Sequence, residues 1–124
     1  MTLLVVDDSR IMRNLIKNYF TDLDLGHCDF VDADNGEDAF KLVQSRPVDL
    51  VFLDWNMPKM SGIDFLKQIR NIDAFKRLPI IMVTSEISKN NVIEALKNGA
   101  TDYIIKPIDE KLFKEKVIKV LRKK

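Results

Sequence analysis

Short runs of aliphatic and β-branched residues alternate along this chain with stretches whose apolar residues recur every three or four positions. Thr2–Val6 (TLLVV) shows no polar alternation, as expected of a strand covered on both faces. Ser9 then stands as a helix cap, with Ile11, Met12, Leu15, Ile16 and Tyr19 at helical spacing behind it. Cys28–Ala33 (CDFVDA) is a weaker second strand, and Asn35-Gly36 opens a helix turning Ala39, Phe40 and Val43 inward. Asp49–Asp54 (DLVFLD) is the third strand. Ser61 with Asp64 three residues on has the form of a capping box, ahead of a helix with Phe65, Leu66 and Ile69 on its apolar face. Pro79–Ser85 (PIIMVTS) is the fourth strand, and Asn91–Gly99 a helix stopping at glycine. Tyr103–Lys106 (YIIK) is the fifth strand. The last helix carries Leu112, Phe113, Val117, Val120 and Leu121 on one face.

Five strands alternating with five helices predict an α/β fold, a (βα)5 three-layer sandwich around a parallel sheet with right-handed crossovers. No Gly-x-Gly-x-x-Gly follows the first strand and no Gly-Lys-Ser/Thr loop occurs, which argues against dinucleotide and P-loop folds. With 124 residues and no linker or repeat, residues 1–124 read as a single domain with no output domain, and Met1 and the terminal Lys-Lys as natural ends.

Composition narrows the function classes. Hydrophobic residues make up 46% and charged residues 31%, which is globular rather than disordered. The net charge of +1 gives no field to recruit nucleic acid or anionic lipid. The lone Cys28 excludes an internal disulfide, and no apolar run approaches the roughly 18 residues of a membrane span. A cytoplasmic, monomeric protein is expected.

In open α/β sheets, functional groups gather beyond the carboxyl ends of the strands. There the sequence places Asp7-Asp8, Asp54, Thr84-Ser85 and Lys106-Pro107. Carboxylates this close repel one another unless a cation joins them. Oxygen ligands without His or Cys select a hard ion, Mg²⁺ or alternatively Mn²⁺. His27, the sole histidine, falls at the other end of a strand, which argues against zinc. Thr84 and Lys106 supply a hydroxyl and a compact cation suited to a phosphoryl group. A carboxylate nucleophile with a metal and phosphoryl stabilisers is a set of parts for phosphoryl transfer.

These residues, in this order and spacing, resemble the receiver domain of bacterial two-component response regulators. "DWNMPKMSG" and "DYIIKP" are similar to the single-domain, CheY-type chemotaxis regulators. The resemblance implies a flavodoxin-like sheet of order 2-1-3-4-5. It implies Asp54 as phosphoacceptor, exposed at its strand tip. It implies metal ligation by Asp8 and Asp54, with Asp7 helping through water and the Asn56 backbone carbonyl as a further ligand. Lys106 would contact the phosphoryl group, Thr84 would rotate toward it, and Tyr103 would swing between exposed and buried positions. The Lys106-Pro107 bond would be cis. Output partners would dock where Tyr103, Lys116 and Lys119 lie, on the fourth helix, fifth strand and last helix. Implied partners are a chemotaxis-type histidine kinase, a flagellar motor switch protein or other output protein, and a phosphatase. No enzyme activity is implied beyond the chain's own phosphorylation and dephosphorylation. Ser85 and Ile108 depart from the chemotaxis pattern.

Blander roles stand beside these. Trp55 reads mainly as packing, Glu86 as a helix-start acid, and His27 and Cys28 as incidental. The C-terminal lysines are a solvated face or a dock for an acidic partner. A phosphorelay intermediate, and a Mg²⁺-dependent phosphatase with an aspartyl-phosphate intermediate, are the competing functions. Against the phosphatase, Asn56 holds the position where such enzymes carry a second acid.

Overall fold

The structure, a computed structural model, describes residues 1–122. Lys123 and Lys124, part of the expected lysine-rich face, lie outside the described residues. The strands are β1 (Thr2–Val6), β2 (Asp29–Ala33), β3 (Leu50–Leu53), β4 (Ile80–Thr84) and β5 (Asp102–Ile105). The helices are α1 (Arg10–Thr21), α2 (Gly36–Ser45), α3 (Gly62–Arg70), α4 (Lys89–Lys97) and α5 (Glu110–Arg122), with one 3-10 turn at Asp73–Phe75. All neighbouring strands pair in parallel, in the order β2-β1-β3-β4-β5. The expected strand order and fold class are therefore borne out.

Alternation along the strands builds two cores. Leu4, Val6, Val51, Leu53, Ile80 and Met82 face α2, α3 and α4, whose inward residues include Ala39, Val43, Phe65, Leu66, Ile69 and Ala95. Leu3, Val5, Leu50, Phe52, Ile81 and Val83 face α1 and α5, meeting Ile16, Phe20, Phe113 and Val117. A strand with both faces covered disfavours polar residues, which is why the runs read as almost continuously apolar, with Thr84 at the end of β4 the exception.

Capping follows the sequence closely. The side chains of Ser9, Asn35 and Ser61 accept from the backbone N–H groups of Met12, Asp38 and Asp64, as N-caps do. Two helix positions differ from expectation. Ile11 is 82% exposed and Leu112 is 44% exposed, so neither joins the core. The inward stripes run Met12–Ile16–Phe20, with Met12 partly buried, and Phe113–Val117–Val120, and each exposed residue sits one position, about 100°, off its stripe. Cys28 precedes β2, and Ser85 and Lys106 follow β4 and β5, so element ends shift by a residue.

Candidate phosphoryl-acceptor site

Backbone ladders carry the functional residues one step past their strands. Asp7 N–H donates to Ala33 O (3.1 Å), Asp54 N–H to Val6 O (2.9 Å) and Lys106 N–H to Thr84 O (3.0 Å). The side chains that follow are thus aimed by rigid sheet, not by loop. Gly62 explains the tight return behind Asp54. Its N–H donates to Trp55 O (2.8 Å), and a Cβ there would lie 1.9 Å from Asp54 O. Any side chain at position 62 would push the acceptor strand end away.

Asp7, Asp8 and Asp54 each offer a carboxylate oxygen within 4.8 Å of the others. Asp7 is fully buried and its oxygens are engaged: Oδ1 accepts from Ser9 N–H (2.9 Å), and Oδ2 from Lys106 Nζ (2.8 Å). Lys106 Nζ also lies 3.4 Å from Asp54 Oδ2. Asp54 Oδ1 accepts from the Trp55 N–H (2.8 Å). Asp54 is 6% exposed, so the expected exposed strand tip is corrected to a buried one. Burial, then the neighbouring Asp7 charge, pushes the Asp54 carboxyl up, against the opposing pull of Lys106, the Trp55 N–H and the Thr84 hydroxyl. One ammonium, paired with Asp7 and Asp54 but not with Asp8, leaves the three acids short of positive charge that a divalent cation would supply, and an all-oxygen donor set suits Mg²⁺ or Mn²⁺. His27 is exposed, paired with Asp29 at the start of β2, on the opposite rim.

The structure brings Asp7, Asp8, Asp54 and Lys106 into one cluster, with Thr84 fully buried beside them. Asn56 follows in the loop, exposed, and its side-chain amide donates to Glu86 Oε1 (2.7 Å). The Lys106-Pro107 bond is cis, as expected. Tyr103 is 5% exposed and points inward, donating to the Glu86 carbonyl (2.6 Å). Desolvation, with the Glu86 and Asp54 charges, pushes its phenol up to about 12. Lys119 is exposed on α5, but Lys116 is not free: its ammonium bonds Asp102 Oδ1 (3.2 Å) and the Tyr103 carbonyl. Half-buried Trp55 packs on the α2–α3–α4 core, as expected of a packing residue.

Several participants were not legible beforehand. Glu86 lies in the loop before α4, not at a helix start, and its Oε2 accepts from Asn91 Nδ2 (3.0 Å). That tie joins residues five apart across a bend, which no helical or strand spacing signals. Arg13 on α1 donates to the Asp7 carbonyl (2.5 Å), a contact made by a long side chain reaching back along its helix.

Residues 3–118 match the family described as the response regulator receiver domain. A chemotaxis protein CheY homolog of Campylobacter jejuni is 45% identical over 122 residues, covering 98% of this chain and 92% of its own. Chemotaxis protein CheY1 of Helicobacter pylori is also 45% identical, over 98% of this chain and 97% of its own. Among solved structures, the chemotaxis response regulator CheY4 of Vibrio cholerae superimposes with a TM-score of 0.85 at 29% identity, covering 96% of this chain and 97% of that one. Fold, acidic cluster and relatives agree, and the chain belongs to the receiver-domain family of response regulators and is CheY-like.

Proposed function

We propose that this chain is a phosphorylation-activated switch whose acceptor is Asp54. The observation that carries the reading is the convergence of Asp54 with Asp7, Asp8 and Lys106 at the carboxyl ends of three strands. The donor is a phosphohistidine on a chemotaxis-type histidine kinase. An Asp54 carboxylate oxygen forms the new P–O bond as the P–N bond to imidazole breaks, and the released imidazole keeps the electron pair and is protonated. Asp8 and Asp54, with Asp7 and the Asn56 carbonyl, would hold Mg²⁺, which neutralises phosphoryl charge and orients its oxygens when bound. Lys106 lies between Asp7 and Asp54 and supplies a fixed cation at the acceptor. Thr84 offers its O–H to the new acceptor oxygens.

The output is the α4–β5–α5 face. Thr84 moving toward the phosphoryl group couples to Tyr103 through Glu86, whose N–H donates to Thr84 Oγ1 (3.3 Å) and whose carbonyl accepts from Tyr103. Exposed Ile93, Leu96 and Ile105, with Lys119, suit an acidic, partly apolar segment of an output protein, such as a flagellar motor switch protein. Lys116 acts there only if its tie to Asp102 opens. A phosphatase resetting the switch fits the same scheme. A phosphatase activity of the chain itself is disfavoured, because Asn56 is no general acid and its amide is tied to Glu86.

The test is Asp54→Asn. With Mg²⁺ and a small acyl phosphate, the unaltered chain should gain a hydroxylamine-labile phosphoryl mass and the variant none. A full adduct on the variant would move the acceptor elsewhere.

A further inference from the structure

Asp8 carries no side-chain hydrogen bond or ion pair among the described residues, and it is exposed. Its carboxylate is therefore aimed by backbone alone. The two peptide groups flanking it are both fastened. After it, the Ser9 N–H donates to Asp7 Oδ1 (2.9 Å). Before it, the Asp7 carbonyl accepts from Arg13 Nη1 (2.5 Å).

Arg13 is itself held. Its Nε donates to Asp32 Oδ2 (2.9 Å), and its side chain is 12% exposed. Lys17, one turn on along α1, pairs with the other Asp32 oxygen. Burial raises the Asp32 carboxyl, but the bonds from Lys17 and Arg13 outweigh it and hold Asp32 below the usual carboxylate range. Asp32 is thus a permanent anion at neutral pH, and it sits on β2 beside Ala33, whose carbonyl fixes Asp7 N–H. The guanidinium spans two acceptors on different elements, β2 and the end of β1, which its fork geometry permits and a lysine's single nitrogen does not.

We infer that Arg13 is a positioning residue: through the Asp7 carbonyl it fixes the Asp7–Asp8 peptide, and so pre-orients the Asp8 carboxylate toward the cation site. The inference rests on the metal reading given above. Arg13 touches neither the reacting oxygen nor any proposed ligand atom; it acts through Asp8. A partner that orients a ligand typically changes metal affinity by about 10- to 100-fold, and action through one peptide group belongs at the low end, about tenfold.

The experiment compares the unaltered chain with Arg13→Lys and Arg13→Met, each by three measurements. Mg²⁺ is titrated against Trp55 emission; amide resonances of Asp8 and Ser9 are followed without metal; stability is read from urea midpoints. The expected result is a roughly tenfold weaker Mg²⁺ midpoint for Arg13→Met and partial rescue by Arg13→Lys. The Asp8 amide should shift and exchange faster in metal-free buffer. Arg13→Met with lower urea stability but an unchanged Mg²⁺ midpoint and unmoved Asp8 and Ser9 amides would make Arg13 a plain structural tie and overturn the inference. If the unaltered chain itself shows no saturable Mg²⁺ response, the metal reading fails. The metal-free Asp8 and Ser9 amides then decide the role of Arg13, and unmoved amides overturn it.

Discussion

The α1–α5 side of the sheet and the α4 corner of the opposite side are held by different kinds of force. On the α1–α5 face, aromatic rings interlock: Phe52 stacks on Phe113 at 5.4 Å, Phe20 meets Phe52 edge-on at 6.3 Å, and Tyr19 tilts onto Phe113 at 5.8 Å. On the other face, α4 contributes only Ala95 to full burial, while Ile93 and Leu96 are 39% and 46% exposed. What fastens α4 instead is polar. At its start, Asn91 and Asn56 both reach Glu86, and Tyr103 holds the Glu86 carbonyl. Beyond its end, Arg70 clamps the Gly99 carbonyl through Nε and Nη2 (3.0 and 2.7 Å) and that of Phe75 through Nη1 (2.6 Å). Burying an aromatic side chain stabilises by several kcal/mol and has one good geometry. A hydrogen bond contributes about 1 kcal/mol net and can exchange partners. The α4 corner next to Thr84 and Tyr103 is therefore the part that can rearrange cheaply, and the aromatic side is the fixed frame against which it does so.

The largest expected effect tests the frame. Phe113→Ala should lower unfolding stability by about 3–5 kcal/mol, since it opens a cavity against two rings. Leu96→Ala on α4 should cost less than about 0.5 kcal/mol, as an exposed position does. Urea midpoints of the two variants decide it; equal losses would erase the distinction between the aromatic side and the α4 corner.

A smaller effect compares helix starts. Ser9 caps α1 through its side chain, at 3.2 Å from the Met12 N–H, whereas Ser88 makes no side-chain cap bond to α4. Ser9→Ala should cost about 1 kcal/mol and Ser88→Ala only a few tenths. A Ser88→Ala loss as large as that of Ser9→Ala would mean that α4 is capped in solution as firmly as α1.

The same contrast explains what the sequence disclosed. The frame is legible because packing imprints periodicity: Ile16, Phe20, Phe113, Val117 and the strand runs all fall at regular spacing. The acids and Lys106 are legible because a parallel sheet sends strand ends to one rim. Residues off the periodic stripes, Ile11 and Leu112, were misplaced because spacing fixes a face only to within a residue. The polar fastenings of α4 were invisible. Glu86 acts through both its carboxylate and its own carbonyl, and Arg70 through carbonyls 5 and 29 residues away. No sequence pattern encodes bonds to backbone carbonyls, because every residue has one.

The smallest effect falls on the hinge between the two regimes. Tyr103 is packed among the apolar residues of the α4 face yet spends its hydroxyl on the Glu86 carbonyl. Tyr103→Phe keeps the ring and removes the bond, so it should cost only about 0.5–1 kcal/mol at neutral pH. Its pH dependence separates the bond from the ring. The phenol titrates near 10 in an unfolded chain and at about 12 in the fold, because burial and then the Glu86 and Asp54 charges oppose ionisation. The folded state therefore holds the proton longer. The phenol's contribution is fully present below pH 10 and is lost as pH rises from about 10 toward about 12. Tyr103→Phe has no such group, so the stability gap between the unaltered chain and the variant should shrink across that window. Urea midpoints at about pH 8 and about pH 11 measure the gap. A gap that stays constant would mean that the hydroxyl titrates as in water. Tyr103 would then stand outward in solution, and the polar fastening of α4 would already be open before any phosphoryl group arrives.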